Sequence, residues 1–150
     1  MPLTKPDQRL RRRARARVVQ ALYAWEATHH EVPLPIAAGR MWDDLALGPE
    51  ERRFAEPLLR TLTSSLPDID RHIAALTHNW RPERIGAIER AVLRLGAAEL
   101  MSEPGPGQEP TPPLAAIHEA VVLAERFGSD ASARFVNGVL DALGRKLGRI

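Results

Sequence analysis

The sequence contains no cysteine. Disulfides, thiolate metal sites and a cysteine nucleophile are therefore excluded. Lysine is almost missing as well: only Lys5 and Lys146 occur, so arginine carries nearly all the positive charge. Asparagine is confined to Asn79 and Asn137. A GC-rich genome or a thermophile would each produce this usage, and the composition does not separate them. No apolar run approaches the ~18–20 residues of a membrane helix, and mean hydropathy is −0.26. The charged N-terminus has no apolar segment behind it, so no signal peptide is expected. These absences are compatible with a cytoplasmic protein.

Sequence motifs for catalysis are missing too. There is no phosphate-binding GxxxxGK[ST], no GxGxxG after a strand, no GxSxG and no HExxH. His29, His30, His72, His78 and His118 do not fall at ligand spacing. Asp68-Ile69-Asp70 looks like half a calcium loop, but it lacks the glycine and the distal glutamate and reads better as a helix start. The expectation is a protein that is not an enzyme and needs no metal or cofactor.

What the chain has is arginine, concentrated at one end. Residues 1–20 hold seven cations against Asp7, a net +6, while the other 130 residues carry a net −4. Arg9, Arg11, Arg12, Arg13, Arg15 and Arg17 make six arginines in nine residues. Like charges at i,i+4 destabilise a helix, whereas guanidinium groups bind phosphates bidentately and stack on bases. A concentrated positive field of this kind is the footprint of a polyanion site, RNA or DNA. The alternative is a solvated face balanced by acids elsewhere.

The arginines ride on a helical pattern. Leu10, Ala14, Val18, Ala21, Leu22 and Trp25 recur with helical period, predicting a helix over roughly 8–29 with the arginines mostly off the apolar stripe. It should end before Val32-Pro33-Leu34-Pro35. A short helix is expected over 36–47 around Met41, Trp42 and Leu45. Pro49 then opens the stripe Phe54, Leu58, Leu59 and Leu62, which Pro57 should kink or restart. Ser64, Ser65 or Asp68 would cap a further helix carrying Ile69, Ile73 and Leu76. Pro82-Glu83 would open the next, with Ile85, Ile88, Val92, Leu93, Leu95 and Leu100. Residues 102–113, SEPGPGQEPTPP, form the clear loop, with five prolines and two glycines.

A helix follows over about 113–127, with Gly128 as its cap and Ser129 or Asp130 as the next N-cap. The last helix carries Phe135, Val136, Val139, Leu140, Leu143 and Leu147. Asn137-Gly138 sits in helical rather than alternating flanks, so Gly138 is read as a mid-helix glycine permitting close backbone approach. Nothing reads as a strand. The fold class is all-α, about seven helices in one domain, 1–150. Phe127 and Phe135 bracket the turn between the last two helices, beside Arg126 and Arg134. Such rings could stack unpaired bases, or Phe135 could simply close the junction.

Three segments together carry a resemblance: RRRARARVVQALYAWE (11–26), NWRPERIGAIERAVLRLGAAEL (79–100) and IHEAVVLAERFGSDASARFVNGVLDAL (117–143). The chain resembles the NusB family of bacterial transcription antitermination factors, with residues 30–78 similar only in pattern. The resemblance implies two three-helix bundles packed together. It also implies binding of the boxA element of rRNA leader transcripts, jointly with NusE, a small-subunit ribosomal protein. That complex would join elongating RNA polymerase, with other Nus factors, and support transcription of rRNA operons. The implied RNA-binding residues are Arg11, Arg12, Arg13, Arg15, Phe127, Arg134 and Phe135. The implied NusE-binding residues are Tyr23 and Glu89. The chain departs from the family in having Ala131-Ser132 where some relatives carry an acid and serine, with Asp130 one position earlier, and in its long proline-rich loop and Pro57.

Two further readings follow from the same features. One is a stand-alone relative of the NusB-like domain of rRNA cytosine methyltransferases, although no methyltransferase domain follows Ile150. The other is a protein-interaction module whose arginines meet an acidic partner. Self-association as a homodimer is a further expectation of the resemblance.

Overall fold

The computed structural model describes residues 2–79 and 85–150. Six α-helices account for the regular structure among them, and no strand occurs there. Helix α1 spans Lys5–Ala27, three residues earlier than periodicity implied. The reason is a capping box: Thr4 Oγ1 accepts from the Asp7 N–H at 3.2 Å, and the Asp7 carboxylate accepts from the Thr4 N–H at 3.1 Å. The Thr4 hydroxyl and N–H bonds hold the Asp7 carboxyl below its ordinary 3.8. After Ala27 the chain reverses through His29 and His30 at φ 56° and 58°. Trp25 fixes that turn, donating Nε1–H to Val32 O at 2.8 Å and stacking on His30 at 3.6 Å.

Helix α2 is Leu34–Asp44 and buries Leu34, Ala38 and Trp42. Helix α3, Pro49–Leu76, carries both Pro57 and Pro67 yet breaks only at Ser65, whose φ/ψ of −121°/15° leave the helical region. The backbone stays helical through Pro57, so the helix does not restart there. Pro57 lacks the N–H that Arg53 O would accept, and Gln108 from the distant loop donates Nε2–H to that carbonyl instead, at 3.0 Å. Near Pro67, Thr63 and Ser64 hydroxyls bond the Leu59 and Arg60 carbonyls, the back-bonding that bends helices. Counted on either side of Ser65, α3 brings the helical segments to seven.

Helix α4 is Ala87–Met101, and every residue from Ala91 to Leu100 is buried. The expected start at Pro82-Glu83 lies outside the described residues, as does Trp80. A helix buried all round must be central, and α4 packs on α1 and α3 on one side and on α5 (Pro113–Phe127) and α6 (Asp130–Lys146) on the other. The helices α1–α3 contact one another, as do α4–α6, so two three-helix bundles share one core. Helices α4 and α6 meet tightly at Gly96, where a Cβ would sit 2.4 Å from Leu140 Cδ1. Gly138 does not serve that purpose: it is exposed, and a Cβ there would meet nothing within 4 Å. Ser129 caps α6, accepting from the Ser132 N–H at 3.1 Å.

Candidate nucleic-acid and partner interface

The six arginines of α1 do not form one face. A helix turns about 100° per residue, so neighbours in the run reach different elements. Arg11 and Arg15, one turn apart, point inward and are 7% and 4% exposed. The expectation that the arginines lie mostly off the apolar stripe is corrected for these two, the only ones of the six that are buried. Arg15 makes a two-pronged pair with Glu99 of α4, Nε–Oε1 at 2.7 Å and Nη2–Oε2 at 2.6 Å. Arg11 ties down the proline-rich loop through Glu109 O at 2.8 Å and Thr111 Oγ1 at 3.2 Å. Both guanidinium groups stand over the Phe54 ring, at 4.7 and 5.0 Å from its centroid. Burial, and then the charge of Arg15, lower the pKa of Arg11.

Arg12 and Arg13 remain at the surface, their side chains 53% and 55% exposed. Arg12 reaches Glu119 of α5 through Nε at 3.0 Å, and Arg13 reaches Glu51 of α3 through Nε at 3.2 Å. Arg17 donates to Gln20 at 2.9 Å. Arg9 is exposed and makes no bond within the described residues.

The second half of α1 borders an apolar groove of about 430 Å³, lined by Val19, Tyr23, Met41, Leu45, Ile88 and Phe127 among others. Tyr23 and Leu45 are 45% and 44% exposed there. Phe127 therefore shares a groove with Tyr23, although the resemblance implied an RNA-binding role for one and a NusE-binding role for the other. Arg126 stands over the Phe127 ring at 5.0 Å. Arg134 is exposed at the start of α6, while Phe135 is half-buried against the core. Glu89 accepts from the Ser132 hydroxyl at 2.6 Å, joining the start of α4 to the first turn of α6. Asp130 is exposed beside that junction. Gly128 allows the turn to be this tight: a Cβ there would lie 2.7 Å from Ser132 Oγ and 2.8 Å from Ala124 O.

The sequence reading missed the acids that receive these arginines. Glu99 carried a signal, being an acid inside the buried run Leu95–Leu100. Glu51 and Glu119 carried none, since both look like ordinary polar helix positions.

The fold and the site together define an all-α scaffold that presents a guanidinium-bearing helix end beside an apolar groove. Residues 12–145 match the model of the NusB family. The chain is 38% identical over 136 residues to the transcription antitermination protein NusB of Sorangium cellulosum strain So ce56, covering 91% of this chain and 92% of that protein. A crystal form of T. maritima NusB is 30% identical with a TM-score of 0.77, covering 90% of each chain. The antitermination factors NusB and NusE in complex with double-stranded RNA include a chain that matches with a TM-score of 0.76, covering 92% of this chain and 98% of that one; at 24% identity this likeness speaks to the fold alone. The chain belongs to the NusB family. No helix among the described residues is long and apolar enough to cross a membrane.

Proposed function

We propose that this chain is a transcription antitermination factor that binds boxA RNA of rRNA leader transcripts together with NusE. The observation that carries the reading is the near full-length relationship to a protein named for transcription antitermination. Within it, Arg12, Arg13 and Arg9 supply the phosphate contacts at the exposed start of α1, with Arg134 as the outlying cation. Arg11 and Arg15 serve the RNA indirectly, by fixing α1 against the loop and α4. Phe127 offers its ring from the edge of the groove, and Phe135 supports the corner from beneath. The groove around Tyr23 takes NusE, because exposed apolar and aromatic side chains in a concave site favour a protein partner. Glu89 shapes that surface through Ser132. The protein acts in the cytoplasm by binding rather than catalysis, and its complex joins RNA polymerase with other Nus factors.

The test is binding of a boxA RNA and a scrambled RNA of equal length, each with and without NusE. The expected result is a boxA preference that NusE strengthens. Equal affinity for the two RNAs under both conditions refutes the reading.

A further inference from the structure

Arg12 and Arg13 are held in an unusual way. Their side chains are more than half exposed, yet Glu119 and Glu51 are only 14% and 18% exposed. Each acid is thus largely enclosed by the scaffold, and each arginine reaches from it into solvent. Each arginine is gripped through Nε alone. Among the described residues, the terminal Nη groups of both make no hydrogen bond, whereas Arg11 and Arg15 spend theirs on Glu109, Thr111 and Glu99. A guanidinium held through Nε–H leaves its opposite, end-on edge open, with one N–H from each terminal amino group pointing the same way. Those groups form the fork that a phosphate accepts bidentately. Glu51 also sits in the first turn of α3, where the helix N-terminus favours a carboxylate.

We infer that Glu119 and Glu51 are positioning residues for RNA: they act through Arg12 and Arg13, orienting each free Nη fork toward a backbone phosphate on either flank of α1. This inference rests on the RNA-binding reading above. An exposed ion pair adds little to folding by itself, so its effect falls on the ligand. A guanidinium already held in one orientation loses less freedom on binding. Two forks at fixed separation also match one path of the RNA backbone better than others, so the acids sharpen selection for boxA RNA over RNA in general. A bare negative charge at the same place would only repel every RNA alike.

The experiment is a double-mutant cycle on the full chain. Anisotropy titrations use labelled boxA RNA and a scrambled RNA of equal length at fixed salt. Glu119→Ala is expected to weaken boxA binding about fivefold, or ~1 kcal/mol, and to leave scrambled RNA within about twofold. Glu119→Gln keeps an oxygen for Arg12 Nε and is expected to retain wild-type selectivity. In an Arg12→Ala background, Glu119→Ala has no further effect. The inference is overturned if Glu119→Ala costs the same with and without Arg12, if Glu119→Gln fails like the alanine variant, or if Glu119→Ala tightens both RNAs equally. A wild type that binds both RNAs alike refutes the function proposed above, whereas a selective wild type with an additive cycle refutes this inference alone. Should Glu119→Ala unfold, the Glu51→Ala and Arg13→Ala cycle on the opposite flank decides in the same way.

Discussion

Replacing Glu99 by alanine tests how far the arginine run is structural. The Arg15 and Glu99 side chains are 4% and 5% exposed, and two charge-assisted bonds of 2.7 and 2.6 Å join them. Without the carboxylate, the guanidinium keeps a 3.4 Å contact to Thr111 Oγ1 and the face of Phe54. Neither neutralises a buried cation. Breaking a buried pair from one side costs about 3–5 kcal/mol, because the remaining charge is stranded away from water. That is a large share of the 5–15 kcal/mol that holds a typical domain folded. For a chain of this length it lowers Tm by roughly 10 °C. Urea denaturation followed by helical circular dichroism measures the loss directly. The companion variant Arg15→Met with Glu99→Leu removes both charges and fills the space, and should recover most of the stability. A loss below about 1 kcal/mol for Glu99→Ala, the range of exposed pairs, refutes the assignment of Arg15 to the core.

Three other outcomes follow from particular contacts. Gly96→Ala should destabilise by about 1–3 kcal/mol, because its Cβ would meet Leu140 Cδ1 at 2.4 Å; Gly138→Ala, opening onto empty space, should be neutral or stabilising by up to ~1 kcal/mol, and paired thermal melts separate the two. Asp7 should titrate below 3.8 by carboxyl NMR and return toward it in Thr4→Ala. Since its folded pKa is depressed, the capping contribution is present above the unfolded value and fades as pH falls through the lower folded one. Leu45→Glu places a charge in the groove at a side chain already 44% exposed. It should leave the melting curve unchanged and weaken NusE binding at least tenfold, measured by calorimetry; unchanged affinity would remove the groove from the partner surface.

The helices were legible because apolar residues recur with one period, and packing followed that period. What escaped the sequence depended on contacts between distant segments. Pro57 looked like a break because a local reading sees a missing N–H; Gln108, 51 residues later, supplies the donor to Arg53 O. The break falls instead at Ser65, two residues before Pro67 and at one of the caps expected for the helix carrying Ile69, Ile73 and Leu76. Gly138 is a glycine within a helix, but close approach depends on the neighbouring helix: Gly96 of α4 faces Leu140 of α6, whereas Gly138 of α6 faces open space. The arginines were harder still. Periodicity counts every arginine as polar, so it cannot tell that Arg11 and Arg15 flank the stripe closely enough to be drawn in by Phe54 and Glu99. Similarly, the groove needs Met41 from α2 and Leu45 just after it, Ile88 from α4 and Phe127 from α5, which no local pattern brings together.

The pairing of the arginines changes what the charge at the N-terminus can do. Counted along the chain, residues 1–20 carry +6. Glu99, Glu119 and Glu51 each lie within 3.2 Å of one of these arginines, and counting those three acids with the segment lowers its formal charge from +6 to +3. A long-range field recruits any polyanion and is screened within ~8 Å at physiological salt. A weakened field therefore sacrifices indiscriminate attraction before it sacrifices contact. If all six arginines met single-stranded phosphates, the logarithmic salt slope would be about −4; if the run contributes only Arg9, Arg12 and Arg13, as proposed above, its share would be about −2. The smaller slope leaves the geometry of the guanidinium forks, rather than the sum of charge, to decide which RNA is held.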